Sequence, residues 1–360
     1  MTDTCKPACE PTGCRYDDAP LDCDVFPHIM DSVLQASSPP TLLAIRGLSS
    51  EMRYRVDGIL ASHITISNRP HCSSSPSYLD VSPHCCKLGF RPPIDLARTR
   101  IVDLVGPVGA RPVTYRAAGA GKNGLELYLE YLSEKLVNVH TVRLRPDTEG
   151  RGTSLCPIQA KTVVAFAEFS EPESSSYPSI ASVGPVPDST ERLVLNVAYE
   201  PRSWWLPRAN LILCDVAHKP NLTNVAVLLS PTASSPGCGR SYGEAISGQW
   251  MGMMSSIVNL MSYTLPRVKF TLVGVEKLEP EWLGIEPDWH GSPPSSTGFF
   301  DFRNDTVVHL VIEAVETELR RRHIMDDEEI EEALSHITFM SRDKYEKSVN
   351  ARQFELETVQ

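Results

Sequence analysis

The sequence lacks the long apolar segments that carry a chain to or across a membrane. Residues 1–18 contain no apolar run, so we expect no signal peptide. The longest strongly apolar stretch, Val225 to Leu229, is strand-sized and far short of the roughly 18 residues that a membrane-spanning helix needs. Without a secretory signal, the ten cysteines indicate free thiols in a reducing compartment. We therefore expect a cytoplasmic or nuclear protein with no membrane partner.

Clustered positive charge is also scarce. The net charge is −11, and the longest basic run is Arg320-Arg321-Arg322. That run stands at the end of a predicted helix, where the helix dipole favours cations without any ligand. Because binding to nucleic acid or to an anionic membrane needs concentrated positive charge, we expect neither as a partner.

Phosphate-loop and metal motifs occur only in incomplete form. The segment Gly119 to Gly124 is similar to a phosphate-binding loop. However, Arg116 stands where the first glycine is required, and Asn123 replaces the Ser or Thr that would hold magnesium. The histidines show no metal-ligand spacing, and Cys5, Cys9, Cys14 and Cys23 are spaced x3, x4 and x8, without the two separated knuckles of a structural zinc site. We therefore assign no metal ligand and no cofactor.

One catalytic motif remains as an alternative. Residues Gly239 to Gly243 spell G-x-S-x-G, which would make Ser241 the nucleophile of an α/β hydrolase-like enzyme. Asp288 and either His290 or His309 follow in the required order. The motif needs a strand directly before the serine, whereas a Ser- and Pro-rich stretch separates it from the preceding predicted strand. Our main expectation is a protein with no catalytic residue.

Short apolar strands alternate with amphipathic helices through most of the chain. Helical periodicity is visible in Leu125–Leu136, Ile246–Met261 and Val307–Leu319. This alternation predicts an α/β fold with a largely parallel sheet. Because the strand spacing is irregular, a leucine-rich-repeat-like stack and an open doubly wound sheet both remain open. The predicted strands are Ile101–Val105, Val139–Leu144, Thr162–Phe166, Leu193–Ala198, Asn224–Leu229, Val268–Val275 and Ile337–Met340.

Composition divides the chain into four parts. We expect a disordered Cys-rich tail at 1–24, a helical module at 25–66, a linker or loop at 67–93 and an α/β domain at 94–360. Within the last part, Trp204 and Trp205 are adjacent in a Pro-flanked loop. Because tryptophan supplies a large contact area, this pair is a candidate target-binding site.

The helical module carries more apolar side chains than three short helices can bury among themselves. Pro39 and Pro40 separate its first two predicted helices, since proline fits the first turn of a helix. Some of the apolar surface must therefore contact another part of the chain or a partner. The apolar residues that follow helical spacing are Ile29, Met30, Val33, Leu34, Leu42, Leu43, Ile45, Leu48, Met52, Val56, Ile59 and Leu60.

This module resembles the F-box, through which substrate receptors dock on the Skp1 adaptor of cullin-RING ubiquitin ligases. In that family an apolar-Pro pair opens the first helix, here Phe26-Pro27, and a Pro-Leu-Leu stretch opens the second, here Pro40 to Leu43. The acidic residue that usually follows the first proline is displaced to Asp31, and the aromatic residue of the third helix corresponds to Tyr54. The segment Phe339 to Thr358 is also similar to fungal F-box-like proteins.

The resemblance implies a substrate receptor that docks on a Skp1-type adaptor and holds a protein target through the α/β domain. Such a receptor acts by proximity and needs no catalytic group of its own. Because F-box receptors often carry repeat domains, the resemblance favours the leucine-rich-repeat-like stack. The alternatives are the hydrolase-like enzyme, a protein-interaction scaffold without a ligase link, and a helical cap on the α/β domain. The implied adaptor-binding residues are Phe26, Pro27, Met30, Pro40, Leu42, Leu43, Ile45 and Leu48.

Overall fold

The chain contains two compact units, Met1–Ile59 and Leu60–Gln360. The structure is a computed structural model. It describes residues 27–69, 78–84, 95–106, 124–146, 156–169, 180–183, 186–199, 210–213, 215–231, 252–278, 302–322 and 325–359.

The described residues of the N-terminal unit are mainly helical. The helices are α1 (Pro27–Ala36), α2 (Pro39–Arg46) and α3 (Ser50–Ala61), the last of which extends two residues past the boundary of the unit at Ile59. Pro39 and Pro40 occupy the first positions of α2, where their missing N–H groups need no intrahelical acceptor. The Ser38 side chain caps this helix by accepting a hydrogen bond from the Thr41 backbone N–H.

Two ion pairs connect the three helices. Arg55 on α3 lies 3.2 Å from Asp31 on α1, and Arg46 at the end of α2 contacts Asp57 on α3. The Arg46 and Asp57 side chains are 17% and 18% exposed and share two hydrogen bonds. Asp31 is 54% exposed, so the Arg55–Asp31 pair contributes only about 0–1 kcal/mol. The apolar side chains that become buried are Leu34, Leu42, Met52 and Val56.

The larger unit is built on a nine-stranded sheet. The strand order is β11-β10-β9-β7-β5-β4-β3-β1-β2, and β6 and β8 form a separate parallel pair. All neighbours in the large sheet are parallel except β1 and β2. The strands in the described residues are β1 (His63–Arg69), β2 (Tyr78–Pro83), β3 (Ile101–Val105), β4 (Thr141–Arg145), β5 (Thr162–Phe169), β6 (Ile180–Val183), β7 (Arg192–Tyr199), β8 (Asn210–Leu213), β9 (Asn224–Pro231), β10 (Lys269–Val273) and β11 (Ile337–Met340).

From β1 to β11 the strands of the large sheet are added in chain order, with β2 paired on the outer side of β1. A doubly wound sheet instead reverses its strand order at a switch point, and the parallel strands of this sheet contain no such reversal. Three helices pack into one core against one face of the sheet, which we call the first face. These are α4 (Gly124–Lys135), α5 (Gly252–Thr264) and α6 (Phe302–Arg322).

The opposite side of the sheet, which we call the second face, carries the alternate side chains of each strand, which point away from that core. Over β5, β7, β9 and β10 it is apolar and is covered by the C-terminal helices α8 (Arg342–Ser348) and α9 (Ala351–Thr358). Tyr345 of α8 packs there with Phe166 and Val194, and Phe354 of α9 adjoins them. The short helix α7 (Asp327–Ser335) connects α6 to β11.

The predicted α/β fold with a largely parallel sheet is confirmed, and all seven predicted strands are present. The helices predicted at Leu125–Leu136 and Val307–Leu319 are confirmed as α4 and α6. Of the helix predicted at Ile246–Met261, residues 252–261 lie in α5, and 246–251 lie outside the described residues. β1 belongs to the large sheet, where it lies between β3 and β2 (Tyr78–Pro83). The reason is that β1 alternates polar residues with buried Ile64 and Ile66 and so pairs with both neighbours.

Cys156 is a buried free thiol in the first-face core. Burial raises the pKa of its thiol from 9.0 to about 12, so the reactive thiolate is scarce in the folded protein. We expect iodoacetamide at pH 8 to alkylate Cys156 at least about 100-fold more slowly in the native chain than in urea. Peptide mass mapping measures this rate, and rapid native labelling would show that the site is not buried.

Candidate functional site

A cluster of charged side chains lies on the second face, over β1, β3 and β4. His63 begins β1, and Asp103 is the central residue of β3, whose neighbours Val102 and Leu104 point into the first-face core. His84 follows β2, and its backbone N–H donates to the His63 carbonyl. Strand alternation and this register therefore bring the two imidazoles to the same carboxylate.

Asp103 is fully buried, and each of its oxygens meets one imidazole and one guanidinium. Oδ1 lies 2.9 Å from His63 Nε2 and 3.5 Å from Arg143 Nη1. Oδ2 lies 3.1 Å from both His84 Nδ1 and Arg145 Nη1. Burial acts to raise the pKa of Asp103, but the hydrogen bonds from His63 and His84 and the charge of Arg143 hold it well below 3.8. The group is a carboxylate at all physiological pH values.

The two imidazole rings stack on each other. Their centroids are 4.0 Å apart, and the ring planes differ by 6°. Burial lowers the pKa of His63 below 6.5 in spite of its contact with Asp103, so this ring is neutral at pH 7. His84 is 40% exposed and forms the solvent side of the cluster. Its Nδ1 also lies 3.3 Å from Thr65 Oγ1.

The cluster contains one carboxylate and two guanidinium groups in addition to the two imidazoles. The nitrogen and oxygen donors of His63, His84 and Asp103 all lie within 4.8 Å of one another. Two imidazoles and a carboxylate are a ligand set of first-row transition metals. Among the described residues, these three could therefore hold a metal ion.

A second polar network fastens α9 to the sheet. Glu357 is fully buried, and Arg192 Nη2 of β7 lies 2.8 Å from its Oε1. The Tyr345 hydroxyl and the Gln353 amide also donate to this carboxylate, at 2.5 and 2.6 Å. Burial, together with the charge of Glu357, raises the pKa of Tyr345, so its phenol stays protonated. Arg143 joins the two networks, since its guanidinium also donates to the Val359 carbonyl.

The N-terminal unit exposes several large apolar side chains, namely Ile29, Val33, Leu48 and Tyr54. Of the residues implied for adaptor binding, Leu48 is 75% exposed whereas Leu42 is only 4% exposed. Leu42 therefore belongs to the interior. Pro27 and Pro40 are exposed, and Met30, Leu43 and Ile45 are half-buried. Phe26 lies outside the described residues.

The remaining residues singled out in the sequence stay predictions. Trp204, Trp205 and Ser241 lie outside the described residues, as do Asp288 and His290. His309 is exposed on α6.

The sequence patterns assigned no role to any histidine and missed the cluster around Asp103. One signal was present, because Asp103 stands at the centre of a short strand that is otherwise apolar. A charge in such a position needs a partner of opposite charge. Its location was therefore detectable, although its histidine partners were not.

Comparison with models of known families, with curated proteins and with solved structures finds no match for this chain. Within its described part, no helix combines the length and the apolar character needed to cross a bilayer.

Proposed function

We propose that this chain is an F-box-like substrate receptor. Its N-terminal unit docks on a Skp1-type adaptor of a cullin-RING ubiquitin ligase, and its larger unit holds a protein target. The observation that carries the proposal is that some apolar side chains of the three helices are buried and others are exposed. Leu34, Leu42 and Val56 are buried, whereas large side chains at Val33 and Leu48 remain in solvent. The proposal is that these exposed side chains belong to one contact surface, because contiguous exposed apolar patches mark sites of protein–protein contact.

The larger unit supports the same proposal if it is interpreted as a leucine-rich-repeat-like stack. Its parallel strands follow chain order, and α4, α5 and α6 share one face of the sheet. Repeat proteins stack successive units in this way and use an extended surface for binding. In this chain the part of the second face near β1 to β4 carries the charged cluster, which gives a target polar groups to contact.

Leu48 offers the most direct test. Burial of a leucine side chain at an interface contributes about 1.5–3 kcal/mol, and a carboxylate in its place would be desolvated. We therefore expect Leu48→Glu to weaken binding to a purified Skp1-type adaptor at least tenfold, measured by calorimetry. Leu127→Glu is the matched control, because Leu127 is 54% exposed on α4 of the other unit.

Thermal unfolding checks that both variants stay folded, which is expected because both side chains are exposed. Unchanged affinity in Leu48→Glu, or no adaptor binding by the wild-type chain, would reject adaptor docking through this surface. A pull-down then separates the receptor from a scaffold without a ligase link. If the chain is a receptor, the adaptor and a cullin are recovered with it. If it is a scaffold without a ligase link, neither protein is recovered.

A further inference from the structure

We propose that His63, His84 and Asp103 form a binding site for one divalent first-row transition ion, with Zn²⁺ as the probe. The ligand atoms are His63 Nε2, His84 Nδ1 and the Asp103 carboxylate. This site lies in the α/β unit and is independent of adaptor docking.

The spacing of the donors suits a single ion. The two imidazole nitrogens lie 2.9 and 3.1 Å from the carboxylate oxygens. Two ligands that are each about 2.1 Å from one ion, at about 90–110° to each other, are separated by about 3.0–3.4 Å. Because the two rings are stacked and nearly parallel, an ion in the plane of both requires one ring to rotate, and His84 is the more exposed of the two. Because these residues sit on the paired strands β1 and β3 and directly after β2, the backbone already holds the donors together.

The guanidinium groups leave room for this ion. A carboxylate has about four lone-pair positions, two on each oxygen. Each oxygen is approached by one guanidinium, Arg143 at 3.5 Å from Oδ1 and Arg145 at 3.1 Å from Oδ2, and by one imidazole. Hydrogen bonds to a ligating carboxylate are the usual outer support of a metal site. Their positive charge also lowers the affinity, so a site of moderate strength is expected.

There are two alternatives to a metal ion held by these three ligands: a cluster that binds no metal, and metal binding by cysteine thiolates elsewhere in the chain. The cluster could bind only protons, as a hydrogen-bonded Asp-His group. Zinc could instead bind to thiolates, because the chain has ten cysteines and Cys85 and Cys86 directly follow His84 in sequence. Alkylation of the accessible thiols before titration removes the thiolate alternative. Co²⁺ also identifies the ligands, because thiolates produce intense near-ultraviolet charge-transfer bands that imidazole and carboxylate groups do not.

The test uses the full chain, stripped with a chelator, alkylated and titrated with Zn²⁺ by calorimetry and with Co²⁺ by visible absorption. We expect one ion per chain, and at least tenfold weaker binding in His84→Ala and Asp103→Asn. His140→Ala is the matched control, because His140 is exposed at the start of β4 and its ring contacts Thr141. It should bind like the wild type.

His84→Ala keeps the test decisive if the buried Asp103→Asn variant fails to fold, because the His84 side chain is 40% exposed and is the outermost of the three ligands. Zn²⁺ should also raise the melting temperature of the wild type and of His140→Ala, but not that of His84→Ala. Wild-type affinity in His84→Ala, or no binding by the wild type, would overturn the proposal and leave a hydrogen-bonded cluster.

Discussion

Glu357→Ala should lower the free energy of unfolding by about 3 kcal/mol or more, measured by urea unfolding. The fully buried carboxylate accepts hydrogen bonds from Arg192, Tyr345 and Gln353. Removing one member of a buried charge pair typically costs about 3–5 kcal/mol, because the partner stays behind without its counter-charge. We expect the lower end of this range, since Arg192 is 33% exposed and water can reach part of its guanidinium.

Glu355→Ala is the matched control for this experiment. Glu355 lies on the same helix, two residues earlier, but is exposed. Its replacement should change the stability by less than about 1 kcal/mol, since its charge acts on Arg143 from an exposed position. The stability of Glu357→Gln should lie between those of the two alanine variants, because an amide keeps the size and some of the hydrogen bonds but loses the charge. Equal stability in Glu357→Ala and Glu355→Ala would show that the network does not hold α9 in place.

The same network links the C-terminal helices to the candidate site. Arg143 contacts both Asp103 and the carbonyl of Val359, which follows α9. A chain in which α9 has loosened therefore loses one of the contacts that position Arg143. For this reason the metal titration is best interpreted in variants that keep Glu357.

Several of the strands that could be predicted from sequence are buried on both faces. Thr162–Phe169 and Arg192–Tyr199 are nearly continuous apolar runs, because the first-face core and the C-terminal helices cover opposite sides of them. The strand β2 escaped prediction, since this antiparallel edge strand lies in a segment rich in Ser and Pro. The strands β6 and β8 are only four residues long, which is too short for periodicity to distinguish them from loops.

The candidate site could not be assembled from sequence because its members are brought together by register. His63 and Asp103 are 40 residues apart, and only the parallel pairing of β1 with β3 makes them neighbours. In the helical unit the sequence predicts the elements, but it does not predict which apolar side chains are exposed. Pro39 and the apolar periodicity predict its helices, whereas the difference between buried Leu42 and exposed Leu48 depends on the packing of all three. Periodicity shows which residues are apolar, but tertiary contacts decide which of them remain available to a partner.

Gly274→Ala should destabilise the larger unit by about 2–4 kcal/mol. Gly274 follows β10 with φ of +82°, a left-handed conformation that an alanine adopts only at a cost. An added Cβ would also lie 2.5 Å from the backbone oxygen of Leu229 at the end of β9. That contact cannot relax by rotation of a side chain, and the Gly274 N–H is itself bonded to the Met340 carbonyl of β11. The backbone is therefore held from both neighbouring strands.

Gly47→Ala is the matched control. Gly47 has φ of −78°, which suits alanine, and its added Cβ would lie 3.4 Å from the Ala44 carbonyl oxygen, an ordinary contact. Alanine also reduces the entropy of the unfolded chain, so this variant should be neutral or more stable by up to about 1 kcal/mol. Urea unfolding of both variants measures the difference. If Gly274→Ala proved as stable as Gly47→Ala, the close approach of Gly274 to β9 would be wrong, because no side-chain rearrangement can relieve a clash with a backbone oxygen.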